Sequence, residues 1–221
     1  YIYVKFSLLM IIKDNVLNLD FDLVETNCYK TLPHYNFWGG WWKQEPRNII
    51  EIVIQKLWQE YIDVDECIDG GFEYWGRTIA ENGHLEWHQD TGEYNYFNEN
   101  YWCSDESLLY YPKVSNDCVG GFLELAPYKT RGTLEDSYTA ARTIDTNEVE
   151  RIKPITDRMV FFDSAHLHRV TPVYKGVRYN LATALWKKTP DFFKKHENWI
   201  NPGMKMQLIE CEWEYKYDTK I

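Results

Sequence analysis

Residues Arg158–Trp186 read RMVFFDSAHLHRVTPVYKGVRYNLATALW. The stretch opens on an apolar run, Met159–Phe162, and turns at Asp163–Ser164. A segment with two histidines, His166 and His168, leads to Pro172 and a second turn at Lys175–Gly176. The alternating run Val177–Trp186 closes it. Short β-rich runs separated by Gly, Pro and Asp read as strand, turn, strand. Successive strand side chains point to opposite faces. Arg178, Asn180, Ala182, Ala184 and Trp186 therefore share one face of the last run, and Val177, Tyr179, Leu181, Thr183 and Leu185 the other. If Arg178 points inward, the small Ala182 and Ala184 leave space beside it.

Upstream, Leu85–Asp90 reads LEWHQD. As a strand it puts His88 and Asp90 on one side and Leu85 and Trp87 on the other. A His and a carboxylate two apart, closed by a distant His, match the two-histidine, one-carboxylate facial triad. That arrangement leaves coordination positions open and suits non-heme Fe(II). An HxD tripeptide alone carries little weight, since it arises by chance and a lone His is more often structural than a ligand. His168 and its neighbour His166 both compete for the third place.

Four pieces occur in order: WHQD at Trp87–Asp90, GGFLEL at Gly120–Leu125, RMVFFDS at Arg158–Ser164, and HRVTPVYKGVRYNL from His168 to Leu181. Together they cover the middle of about half the chain, and they resemble the 2-oxoglutarate- and Fe(II)-dependent oxygenases, in particular the prolyl-hydroxylase-like branch. The resemblance implies a double-stranded β-helix, or jelly roll, with flanking α-helices. It implies Fe(II) held by His88, Asp90 and His168, with His166 the less favoured rival. Arg178, ten residues after His168, would pair with the far carboxylate of 2-oxoglutarate, a task suited to a planar bidentate donor. Tyr111 is the matching position for a second donor to that cosubstrate, and Tyr110 the fallback. A core role is as good a reading for either tyrosine, because buried Tyr commonly finds a partner. Ascorbate is a further candidate cofactor.

The implied activity is hydroxylation of an unactivated C–H bond, in a prolyl or other residue of a peptide or protein. A small-molecule or free amino-acid substrate is the alternative, and a non-catalytic jelly-roll binding module a third reading. Retaining Asp90 disfavours halogenation. Arg178-x-Asn180 suggests the nucleic-acid demethylase branch, but that branch expects a second Arg where Ala184 stands.

Composition sets the outer bounds. The 221 residues suit one domain with a substantial core, and 44% hydrophobic content fits neither a disordered nor a membrane chain. Aromatic residues at 17% favour a β-rich fold. A net charge of −10 argues against nucleic acid as the main partner, since phosphate binding relies on clustered Lys and Arg. The 5 cysteines are scattered without CxxC spacing, so neither a disulfide framework nor a zinc site is expected, and a reducing, cytoplasmic setting fits. The apolar opening Tyr1–Ile12, interrupted by Lys5, is too short for a membrane helix, and no small-residue cleavage site follows. Because the chain opens on Tyr1, a trimmed start is expected, with Met10 a candidate native start.

The remaining elements frame the site. Helical support is expected over about 11–65, a jelly-roll core over about 72–187, and a C-terminal helix and strand over 189–217. Ile11–Leu23 reads as a short strand entering a turn or helix, and Leu32–Trp42 as a loop or bent strand. Apolar residues at helical spacing predict a helix over Arg47–Ile62, started by Glu45–Pro46, on the outside of a sheet. Strands are predicted at Phe72–Ala80, Leu85–Asp90, Leu108–Tyr111, Gly121–Ala126, Ile152–Ile155, Met159–Phe162, Arg169–Val173 and Val177–Trp186. Thr91–Glu106, aromatic and acidic, reads as a substrate-covering loop. A helix at Pro190–Trp199, capped by Thr189, and an alternating strand from Ile209 to Tyr217 complete the expectation.

Overall fold

The computed structural model describes residues 10–18, 36–90, 103–130 and 134–190. In chain order these form β1 (Ile11–Asp14), β2 (Asn36–Trp38), α1 (Ile49–Trp58), β3 (Gly71–Ala80), β4 (Leu85–His88), β5 (Glu106–Val114) and β6 (Val119–Gly120). Then come β7 (Leu123–Lys129), α2 (Leu134–Arg142), β8 (Glu150–Ile152), β9 (Arg158–Asp163), β10 (His166–Val170), β11 (Val173–Lys175) and β12 (Val177–Trp186). Most of the expected covering loop (91–102), the helix at 190–199 and the strand at 209–217 lie outside the described residues. Thr189 gives its N–H and its hydroxyl to the carbonyl of Asp69.

Two sheets face one another as a double-stranded β-helix. The larger has the order β1-β9-β5-β12-β3-β2, the smaller β4-β10-β7-β8, and β11 with β6 makes a two-stranded ribbon. All recorded strand pairings within these sheets are antiparallel. Tyr111, Val160 and Phe162 of the larger sheet meet Leu123, Leu125 and Ile152 of the smaller in the space between. The period-2 alternation of each strand is what supplies this shared apolar layer.

The outer face of the larger sheet is covered by α1. Ile50, Val53, Ile54, Leu57 and Trp58 pack on Phe72, Tyr74, Leu108, Tyr110, Met159, Phe161, Leu181 and Leu185. The helix starts later than its predicted Arg47. Asn48 is the N-cap, its side chain accepting from the N–H of Glu51, while Pro46 stays outside the helix. Trp58 anchors the helix to the sheet by donating to the Thr183 hydroxyl at 2.8 Å. On the far side, α2 lays Ala140 against Ala126 and Leu167 of the smaller sheet. Nothing in the sequence pattern predicted α2, because it buries only a narrow face of small residues.

Several strand boundaries differ from expectation: β4 ends at His88 rather than Asp90, β8 runs over Glu150–Ile152 rather than Ile152–Ile155, and three others differ for backbone reasons. β5 runs on to Val114 through Pro112, because its register with β12 shifts between Tyr179 and Leu181. A bulge is where a proline, lacking its N–H, is tolerated inside a sheet. β7 starts at Leu123, not Gly121, because Gly120 and Gly121 both have positive φ (85° and 66°). The predicted strand Arg169–Val173 is split at Thr171–Pro172, so His166–Val170 joins the smaller sheet and Val173–Lys175 the ribbon.

Candidate metal centre

β4 and β10 run side by side, with His88 directly opposite His168. The imidazole rings are 4.3 Å apart between centroids, and Phe162 meets His168 edge-on at 5.2 Å. Asp90 follows just beyond the end of β4, its Oδ1 3.5 Å from His168 Nε2. One donor atom from each of His88, Asp90 and His168 lies within 4.8 Å of the others. His166 is not in this group. Its Nδ1 is paired with the carbonyl of Ala126, and the pairing of β10 with β7 is irregular between His166 and His168.

Main-chain carbonyls select the tautomers. His88 Nδ1 is paired with the carbonyl of Glu86 at 2.6 Å, and His168 Nδ1 with that of His166 at 3.1 Å. A carbonyl only accepts, so each Nδ1 carries the proton and each Nε2 presents a lone pair. Burial, then the neighbouring His168, pushes the His88 imidazole down to about 4, which keeps it neutral near pH 7. Burial alone would raise Asp90, but His168, His88 and the Ser107 hydroxyl outweigh it and hold the carboxyl at about 2. For His168 burial is the largest single effect and pulls down, but the Asp90 carboxylate and the His166 carbonyl together outweigh it, so its pKa is raised. Two imidazoles and one carboxylate facing each other are the donor set that suits Fe(II).

One expectation about β4 needs correction. Leu85 was placed opposite His88, yet it lines the same cavity, because the pairing with β10 slips between His168 and Val170. Trp87 does point away, under the guanidinium of Arg169 at 4.7 Å. Gln89 also borders the cavity and is 5% exposed. Its Nε2 donates to the carbonyls of Thr130 and Ala165, and its Oε1 accepts from Ser137 of α2. Sequence reasoning missed Gln89, because its partner on α2 left no signal in the sequence.

The cavity, ≈ 250 Å³, is lined by the three candidate ligands together with Arg178, Asn180, Ala182, Trp75 and Arg77. Arg178 is fully buried. Its Nη1 donates to the carbonyl of Gly121 at 2.6 Å, its Nη2 to Asn180 Oδ1 at 3.1 Å, and its guanidinium lies 4.8 Å from the ring centre of Tyr111. Ala182 does supply the expected space on this face. Trp75 and Arg77 were not singled out from the sequence. Their parity with Ile79, which sits opposite Arg178, places them on the cavity side.

Of the two tyrosines, Tyr111 faces this cavity side and Tyr110 does not. Tyr110 donates to Asp157 Oδ1 at 2.8 Å beneath α1. Among the described residues, the hydroxyl of Tyr111 and the Nε of Arg178 are both buried with no hydrogen-bond partner. Burial pushes the Tyr111 phenol up, so it stays a donor, although Arg178 draws it partly back. Leaving a buried donor unmade costs about 1–3 kcal/mol. Two such donors side by side, one of them cationic, would suit an anion.

The 2OG-Fe(II) oxygenase superfamily model matches residues 74–186, just over half of the chain. The chain belongs to this oxygenase superfamily. No curated protein matches it. Among solved structures, the oxygenase resembles a viral collagen prolyl hydroxylase of Paramecium bursaria Chlorella virus 1, solved with 2-oxoglutarate. Identity is 16% over 80% of this chain and 94% of that one, with a TM-score of 0.50. A Pseudomonas putida prolyl-4-hydroxylase is 15% identical over 53% of each chain, TM-score 0.36, so the match spans about half its length. A Trichoplax adhaerens prolyl hydroxylase, in complex with a hypoxia inducible factor peptide, is 16% identical over 80% of this chain and 83% of its own, TM-score 0.41. The family implies Fe(II) and 2-oxoglutarate. The oxygenase presents a donor set that fits the first and an unsatisfied cationic pocket that fits the second.

Proposed function

We propose that this oxygenase hydroxylates an unactivated C–H bond in a peptide or protein, a prolyl residue being the leading candidate. His88, Asp90 and His168 hold Fe(II) through two Nε2 atoms and one carboxylate oxygen. Arg178 and Tyr111 bind the far carboxylate of 2-oxoglutarate, and Asn180 keeps the guanidinium turned toward it. When bound, iron and cosubstrate supply the oxidising power: 2-oxoglutarate and O2 become succinate and CO2, with one oxygen atom entering the C–H bond. The protein's own work is binding and orientation. Leu109, Leu123, Phe162 and Val170 keep the cavity wall apolar, which strengthens the pairing of Arg178 with a carboxylate.

The observation that carries this reading is the convergence of the three donors in the same cavity as a fully buried arginine with an unmade donor. Support for a peptide substrate comes from the fold shared with a viral collagen prolyl hydroxylase. A reducing, cytoplasmic setting is part of the proposal, supported by 5 scattered cysteines without CxxC spacing. The test is incubation with Fe(II), 2-oxoglutarate, ascorbate and a library of proline-containing peptides, read by mass spectrometry. A gain of one oxygen on proline, with stoichiometric succinate, is expected. Oxygen gained only by free amino acids or other small molecules supplied in parallel would move the substrate class and leave the cosubstrate assignment standing.

A further inference from the structure

Behind the carboxylate of Asp90 runs a row of three buried serines. Ser107 Oγ donates to Asp90 Oδ2 at 3.0 Å, and lies 2.7 Å from Ser164 Oγ. Ser104 Oγ donates to Ser164 Oγ at 2.7 Å. Ser104 and Ser164 have no exposed surface and Ser107 only 2%. A serine hydroxyl has one proton to give. That of Ser107 is committed to Asp90, which only accepts when ionised, so Ser107 must accept from Ser164. Ser164 has then spent its own proton and must accept from Ser104, as it does. The row is therefore one-way, each hydroxyl polarising the next toward the carboxylate.

These serines come from separate parts of the fold. Ser104 precedes β5, Ser107 lies on β5 opposite Ala184 of β12, and Ser164 is in the turn between β9 and β10 that leads to His168. Main-chain contacts join the same points, Ser104 N to Asp90 O and Ser164 N to Asp105 O, both at 3.4 Å. The row thus ties the segment that carries Asp90 to the turn that carries the second histidine strand. Asp90 has one oxygen turned toward His168 Nε2 and the other held by Ser107.

We propose that Ser107, backed by Ser164 and Ser104, is a positioning residue for the Asp90 carboxylate. By occupying Oδ2 it keeps Asp90 a one-oxygen ligand and aims Oδ1 at the metal, which leaves the remaining coordination positions for cosubstrate and oxygen. A free carboxylate would rotate or close onto the metal with both oxygens. The proposal rests on reading Asp90 as a ligand, and its test separates the two.

The test titrates Co(II), a spectroscopic stand-in for Fe(II), into the wild-type chain and into Ser107→Ala, Ser107→Thr and Asp90→Ala, without turnover. Partners that orient metal ligands are typically worth 10–100-fold in metal affinity. Ser107→Ala should weaken Co(II) by that factor and change its visible ligand-field spectrum, which reports coordination number. Ser107→Thr keeps the hydroxyl and should restore both. Wild-type affinity and spectrum in Ser107→Ala, with Asp90→Ala unable to bind, would overturn the positioning role alone. Wild-type binding by Asp90→Ala would remove the ligand reading beneath it. A defect that Ser107→Thr does not restore would mean that shape, not the hydroxyl, matters, and would overturn the proposal too. If Ser107→Ala fails to fold, Ser164→Ala carries the test: it strips Ser107 of its donor, and unchanged affinity and spectrum there would overturn the role.

Discussion

His166 and His168 lie two residues apart on β10, and a regular strand would send both to one face. Here the pairing with β7 is irregular between them, and His168 lies with His88 and Asp90 while His166 Nδ1 meets the carbonyl of Ala126. Spacing alone could not decide between them; the preference for His168 came from a motif, and the geometry agrees with it. His168→Ala should abolish tight Fe(II) binding, whereas His166→Ala should keep most of it, as anaerobic calorimetric titration with Fe(II) would measure. The reverse pattern would reassign the third ligand. Arg178 and Tyr111 were both singled out from the family resemblance, and the guanidinium lies 4.8 Å from the ring centre. The serines behind Asp90 were not, because Ser107, Ser164 and Ser104 meet only through long-range pairing of β5 with β9.

At the scale of elements, the alternating run Val177–Trp186 is a strand with the predicted bounds, since β12 is paired on both sides throughout most of its length. Elements with an irregularity were less legible. The slip in β4 that turns Leu85 inward, and the bulge that carries β5 past Pro112, depend on partner strands rather than on local sequence. The double glycine has a stronger meaning than its turn propensity suggested. Gly121 has φ 66°, its carbonyl accepts from Arg178, and a Cβ there would sit 2.9 Å from Val173 Cγ2 and 3.1 Å from Arg178 Cδ. Gly121→Ala should therefore cost on the order of 1–3 kcal/mol of stability from backbone strain and weaken 2-oxoglutarate binding by displacing the guanidinium. A thermal melt and a ligand titration on the same sample check both, and wild-type values would mean the loop relaxes without moving Arg178.

β5 carries a second testable feature at its first residue. Glu106 is opposite Asp163 on β9, and burial first, then that like charge, raises its carboxyl from 4.5 to about 7. A carboxyl whose folded pKa is raised stabilises the fold while protonated. That contribution is fully present below pH 4.5 and is lost as pH climbs toward 7. Glu106→Gln should accordingly melt above the wild type at pH 8, with the gap closing toward pH 4.5. A gap that is constant with pH in paired thermal melts would mean Glu106 ionises normally.

For the whole molecule, two facing sheets with α1 on the outer side followed from strand periodicity, the helical apolar stripe and the family resemblance together. What the sequence hid was how the sheets share their inner layer. Residues from β3, β4, β5, β10 and β12, distant in the chain, line a single cavity with the candidate metal ligands in it and Arg178 as its buried cation. The central claim is that this cavity grips one 2-oxoglutarate molecule at both ends, metal at one and Arg178 at the other. It is tested most directly by titrating 2-oxoglutarate into the Mn(II)-loaded wild type, the metal-free wild type, and Mn(II)-loaded Arg178→Ala and Arg178→Lys. Truncating one partner of a buried charge pair costs about 3–5 kcal/mol. At ~1.4 kcal/mol per tenfold, Arg178→Ala should raise the Kd by two to three orders of magnitude or more. Arg178→Lys should fall between, and removing the metal should weaken binding as well. Unchanged 2-oxoglutarate affinity in Arg178→Ala, or equal affinity with and without metal, would contradict the account.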